Sequence, residues 1–356
     1  MRSITRLAAA LTAGFVLSPV ADAYTLWGPK WAASPTLYIS SSQASTYATE
    51  WGLIQATASR LTQNAANIGF FVGVDDDTDQ TYGNKESEVV FTTSNYWLCG
   101  SDACCYRYAD STGKNIAETD VFMNIVAWET TNTTTNMWAY GGGKRPISTV
   151  AMHEFGHVLG LSHTNNLYNM MGQAHTHINT NGSNYTVRVG EDATSGLRSL
   201  YGSTTGAYED LEVSHWMYDG VSGEYSTHKR TRLYDSAGTV LTNTGTALVP
   251  VYSVTKGSKV KLEATFENNG ALAHSGSYKV YLSLDSTITS SDTELLLSTF
   301  SLGPDTPYTN TASVTIPSTL SSGTTYYLGI SLDTYGAITE VDEANNYAYI
   351  TAIKIK

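Results

Sequence analysis

Over the last third of the chain, apolar and polar positions alternate with a period of two. Val260, Leu262, Ala264 and Phe266 fall on one side, with Lys261, Glu263, Thr265 and Glu267 on the other. Tyr278, Val280, Leu282 and Leu284 repeat the pattern, as do Tyr326, Leu328, Ile330 and Leu332. This period marks half-buried strands. With the Asn-Gly, Ser-Gly and Pro-containing turns between them, it predicts an all-β, antiparallel sandwich over 250–356. The first half reads differently. Trp51, Ile54, Ala58 and Leu61 lie at helical spacing and predict one long amphipathic helix from Ser45 to about Ala66. Leu37 to Ile39, Ile68 to Val74, Glu88 to Thr92 and Asp120 to Trp128 are rich in strand formers. Pro146 opens a second helix, and Val189 to Tyr201 forms a third. Residues 24–203 thus read as one α+β domain, a twisted sheet with long helices, expected to fold alone. Residues 204–249 read as linker and hairpins, and the pattern leaves open which neighbour owns them.

The first 23 residues have the layout of a signal peptide. Arg2 and Arg6 precede an apolar run from Leu7 to Val16, and Ala21-Asp22-Ala23 supplies small residues for cleavage. That run is shorter than the roughly 20 residues that span a bilayer. The expected product is secreted and extracellular, with no transmembrane segment. A net charge of −12 argues against a nucleic-acid partner, which requires clustered Lys and Arg. The one short basic cluster, His228 to Arg232, reads as the polar face of a hairpin. The three cysteines, Cys99, Cys104 and Cys105, crowd together, and in an oxidising compartment Cys99 can pair with either of the others.

The chemistry is concentrated in His153-Glu154-Phe155-Gly156-His157-Val158-Leu159-Gly160-Leu161-Ser162-His163. On a helix, positions 153 and 157 lie one turn apart on one face, so both imidazoles can reach a single ion. Zn²⁺ takes such nitrogen ligands at about 2.0–2.1 Å and in catalytic sites keeps a position open for water. His163 lies too far along for the same helix to deliver it. The chain must turn, and Gly160 accepts the positive φ such a turn requires. Glu154 is placed to act as the general base. Incidental histidines on an ordinary amphipathic helix are the rival reading, but only eight histidines occur in the chain and three stand at ligand spacing.

The segment resembles the metzincin signature, and Asn169-Met170-Met171-Gly172 resembles the Met-turn beneath the zinc in that clan, with Met171 the better match and Met170 the other candidate. Within the clan the chain is similar to the matrixin-like group. Glu118-Thr119-Asp120-Val121 resembles the strand before the active-site helix, and 191–202 the closing helix. The resemblance implies one catalytic Zn²⁺ on His153, His157 and His163, Glu154 as base, and a protein or peptide substrate. Animal matrixins hold a second zinc with histidines upstream of that helix; here no His precedes 153, so a second zinc is not expected. Cleavage after Ala23 would leave only Tyr24 to Lys30 before Trp31, too little for a folded inhibitory segment, so activity is expected on export. Asp75, Asp76, Asp77 and Asp79 offer oxygen donors suited to Ca²⁺, with a plain acidic loop as the blander reading. His175 and His177 follow the Met-turn, where the resemblance implies the pocket for the residue after the cleaved bond, and they read as pocket rim or surface in preference to metal ligands.

Glu267-Asn268-Asn269-Gly270, Leu284-Asp285-Ser286 and Glu340 to Asn346 resemble the bacterial adhesion-related CARDB domain. That likeness implies an immunoglobulin-like fold, and binding or spacing with an extracellular or cell-surface ligand rather than chemistry. The alternative to a secreted zinc endopeptidase is therefore an adhesin or matrix-binding protein with a vestigial protease domain. Retention of Glu154 favours the enzyme, since a binding relic has no use for a base.

Overall fold

The structure is a computed structural model that describes residues 24–75, 83–94, 99–131, 133–164, 169–172, 177–204, 208–218, 220 and 229–356. The signal-peptide segment, Asp76, Asp77, Asp79, His175 and His228 lie outside the described residues.

Strand makes up 41% of the structure and helix 18%, and this overturns the expected α+β domain with long helices. The run read as one helix is two, α1 (Ser41–Thr46) and α2 (Ala48–Thr62). Ser40 caps the first, and Tyr47 between them has φ −117° and ψ 49°, outside the helical region, so the periodicity continues while the backbone breaks. α3 (Ile147–Val158) and α4 (Glu191–Tyr201) have 12 and 11 residues.

These helices pack on a five-stranded sheet built from β2 (Thr36–Ser40), β3 (Phe71–Asp75), β4 (Glu88–Thr92), β5 (Ala103–Ala109) and β6 (Ile116–Asn124). The order is β3-β2-β4-β6-β5, parallel except for the antiparallel edge strand β5. Leu37, Ile39, Ile54, Leu61, Phe70 and Phe155 fill the space between sheet and helices. Two small pairs complete this half. The short strand β1 (Thr25–Leu26) runs against β7 (Leu161–Ser162), just after α3, and β8 (Ile178–Asn181) pairs with β9 (Asn184–Val187).

The second half is a sandwich. One sheet runs β12 (Val251–Val254), β18 (Tyr347–Ile355), β17 (Thr325–Ser331), β14 (His274–Ser283), β15 (Thr293–Leu302). In the other, β13 (Lys259–Asn268) pairs along its length with β16 (Thr306–Thr315), and on its far side with β10 (Leu211–Ser214) and β11 (Leu233–Asp235). The 204–249 region thus gives two strands to the sandwich. It also sends Trp216, fully buried, into the core of the first half, where it packs against Tyr140.

Alternation placed the apolar faces correctly for Val260, Leu262, Ala264 and Phe266, all buried. Leu284 departs from it, 73% exposed just beyond the end of β14. The polar face of β13 departs more: Glu263, Thr265 and Glu267 are buried as well. Each has a partner. Glu263 accepts from Arg232 and Tyr234, Thr265 donates to the Trp216 carbonyl, and Glu267 meets the first half of the chain. A buried polar face is stable only when paired in this way.

Candidate metal centre

α3 begins after Pro146, whose fixed φ suits a helix entry, and it is buried along its whole length. It carries His153 and His157 one turn apart. The helix ends at Leu159, and Gly160 at φ +93° turns the chain. A Cβ at 160 would also press on the Pro29 carbonyl at 3.1 Å. The carbonyls left open by the turn are taken by distant donors: Trp31 Nε1 reaches the Val158 oxygen at 2.8 Å and the Tyr201 hydroxyl reaches that of Leu159 at 2.9 Å.

The turn delivers His163 to the other two histidines. Its Nε2 lies 3.1 Å from His153 Nε2 and 3.0 Å from His157 Nε2. His153 Nδ1 donates to the Met170 carbonyl at 2.8 Å, and His157 Nδ1 to the Leu161 carbonyl at 2.9 Å. Those bonds set the tautomer, so His153 and His157 both point a lone pair at His163. One ring nitrogen of His163 can donate a proton to only one of them. Two or three converging lone pairs are satisfied by a cation, and the donor set of three neutral imidazoles suits Zn²⁺. Burial, and then the nearby Arg107 guanidinium, lower the pKa of His163, which favours the neutral, ligating form. Among the described residues this trio is the one His, Cys and carboxylate group gathered tightly enough to hold a metal ion.

Asn169 to Gly172 form the floor. Met170 contributes its carbonyl to His153, while the Met171 side chain packs under α3 at Gly156, where a Cβ would run into Met171 Sδ. Both methionines therefore serve, one through its backbone and one through its thioether. The turn is fixed by Asn169, whose Oδ1 accepts from Met171 N at 2.7 Å and whose Nδ2 donates to Asp192 at 2.8 Å.

Glu154 lines the same cleft, an open volume of about 930 Å³ that also borders on Arg107, Trp128, Arg145 and the three cysteines. Burial pushes the Glu154 carboxyl up to about 8, with the Arg107 charge opposing. Cys99 is bonded to Cys104, and Cys105 is a free thiol. Burial, and then Glu154, hold the Cys105 thiol well above its ordinary range, so it stays protonated. The cysteines are thus neighbours of the histidines in space, on the wall made by β5.

Other candidates sit elsewhere. Asp75 ends β3 and borders a smaller cleft with Lys85, Glu86 and Glu88. His177 is not on a pocket rim: it is 1% exposed, with Nε2 3.2 Å from Glu267 of the sandwich and Nδ1 3.2 Å from the Arg188 carbonyl. Its imidazole is covered by the sandwich strand that carries Glu267. No sequence spacing signalled Arg107, whose Nη1 donates to the Leu161 carbonyl at 2.9 Å, or the Asn169–Asp192 pair.

Residues 73–202 match the Matrixin family model, and residues 240–349 match the CARDB model. No curated protein matches the chain. Among solved structures, the chain is similar to the crystal structure of the CARDB domain of the PF1109 protein from Pyrococcus furiosus in complex with di-metal ions. The identity is 17% and the TM-score 0.26, over 42% of this chain and 90% of that one. The solution NMR structure of the same domain gives 17% and 0.26, over 42% and 97%. The chain therefore joins a matrixin segment, which carries the three-histidine centre, to a CARDB segment.

Proposed function

We propose that this protein is a secreted zinc endopeptidase. The observation that carries the reading is the convergence of His153, His157 and His163 Nε2 atoms beside a buried Glu154 in an open cleft. His153, His157 and His163 would hold the ion. When bound, zinc supplies Lewis acidity toward the scissile carbonyl and makes a water molecule more acidic. Glu154 takes the proton of the attacking water on its carboxylate and returns it to the leaving amine. A carboxyl whose proton affinity is raised by burial suits both halves of that transfer. Arg107, beside Glu154, keeps its carboxylate form accessible. The peptide lies in the cleft bordered by Trp128, Arg145 and the β5 wall.

Support for export comes from the n-region, apolar run and small-residue site of residues 1–23, and from the disulfide, which persists in oxidising compartments. Among the described residues no helix is long and apolar enough to cross a membrane. The test of the chemistry is Glu154→Gln. It should retain one zinc per chain while casein cleavage falls at least about a hundredfold, the scale of a lost general base. Cleavage near the wild-type rate would rule out Glu154 as the base, and a wild-type chain binding no zinc would rule out the metal centre.

A further inference from the structure

α4 begins without a cap of its own. Its N-cap is Gly190, which has no side chain to offer the first-turn N–H groups. The missing acceptor comes from the other domain: Glu267 Oε1 takes the Glu191 N–H at 2.9 Å. His177 Nε2 lies 3.2 Å from that same oxygen and 3.3 Å from the other oxygen of the carboxylate. A carboxylate at this end of a helix also complements the macrodipole.

The next residue of α4 leads to the metal centre. Asp192 Oδ2 accepts from Asn169 Nδ2, Asn169 Oδ1 accepts from Met171 N, and the Met170 carbonyl accepts from His153 Nδ1. Glu267, Glu191, Asp192, Asn169 and His153 are each at most 3% exposed. In so dry a path a lost acceptor is not replaced by bulk water, so displacement of one member is felt by the next.

Resting on the reading of the three histidines as a metal site, we propose that Glu267 of the CARDB segment is a positioning residue for that site. It sets the start of α4, and through Asp192 and Asn169 it sets the turn that orients His153. The second domain is then part of the structure of the metal centre and not only an appended binding module.

The experiment compares Co²⁺ binding by the full chain and three variants, reading both Kd and the visible absorption bands of bound Co²⁺. Glu267→Asp keeps the charge but is one methylene too short to reach Glu191. It should weaken Co²⁺ by about tenfold, the lower end for loss of an outer-shell partner, and shift the bands. Glu267→Gln keeps the length and an acceptor oxygen and should stay within about threefold of wild type. Lys279→Ala breaks an exposed pair with Glu294 in the same domain and should change nothing. A folded Glu267→Asp protein with wild-type Kd and spectrum would overturn the proposal. A wild-type chain that takes up no Co²⁺ would instead sink the underlying metal reading, and this proposal with it.

Discussion

Arg107 and His157 donate to the same acceptor, the carbonyl of Leu161, each at 2.9 Å. The guanidinium also lies over the Trp27 ring, 4.6 Å from its centroid, so its position is set from two sides. Arg107 therefore fixes the oxygen that fixes the imidazole. Arg107→Ala should fold, yet bind Zn²⁺ about tenfold more weakly in competition with a chelator. Unchanged affinity would mean that the turn after α3 holds Leu161 unaided.

Gly156 is required by packing and not by backbone conformation. Gly156→Ala should destabilise the chain by about 1–3 kcal/mol, the usual cost of overpacking a core. The nearest clash is with Met171 Sδ, and Met170 Cε comes next, so Gly156→Ala combined with Met171→Ala should recover part of the loss. Urea denaturation of the two single variants and the double variant measures that coupling. Strict additivity would mean that the methionine is not what the added methyl meets.

Glu88, Glu118 and Asp120 bury three carboxyl groups together on β4 and β6. Burial, then repulsion from Glu118, pushes Asp120 up to about 8. The folded chain thus holds this proton more tightly than the unfolded one, whose aspartates titrate near 3.9. Its contribution to stability is complete below about pH 4 and is lost as the pH climbs through about 8. Asp120→Asn mimics the protonated group. It should melt several degrees above wild type at about pH 9 and close to it at about pH 4. Equal melting points at both values would show that Asp120 ionises in the folded chain as in the unfolded one.

Thiol counting tests the cleft wall. With the Cys99–Cys104 bond in place, the native chain should label slowly at Cys105 alone, because its half-buried thiol is held protonated. Unfolding without reductant should leave the stoichiometry at one and accelerate labelling, and reduction should raise it to three. Fast native labelling would place Cys105 in open solvent.

A fragment ending near residue 204 tests the join between the halves. Arg188 pairs with Asp210 across it at 3.3 Å, both nearly fully buried, and Trp216 sits against Tyr140. Removing the sandwich strips these partners, so the fragment should melt well below the full chain and exchange amide hydrogens rapidly around β8 and β9. The same measurement tests the expectation that residues 24–203 fold alone. A fragment as protected as the whole chain would uphold it.

What was legible in the sequence was local. The spacing of His153, His157 and His163, the positive φ of Gly160 and the strand at Glu88 to Thr92 all follow from residues within one or two turns of each other. The split between α1 and α2 was missed because Tyr47 keeps the apolar period while leaving the helical backbone region. Glu267 was read as solvent-facing because alternation tells which side of a strand a residue occupies, not what later covers that side. Arg107, Asp192 and His177 were hidden for a related reason: their partners lie 11 to 90 positions away, and no period encodes such distances.

The join between the halves also has an order in time. His215, hydrogen-bonded to Tyr140 of the first half, hands its other nitrogen to the carbonyl of Tyr349, in the final strand. Asn345, just before that strand, holds Asp210, the partner of Arg188. A chain made from its N-terminus therefore presents all three histidines long before these last contacts exist. The polypeptide emerges with its histidines in hand and its frame unfinished, and Asp210, Trp216, Glu267 and then Tyr349 complete that frame in turn.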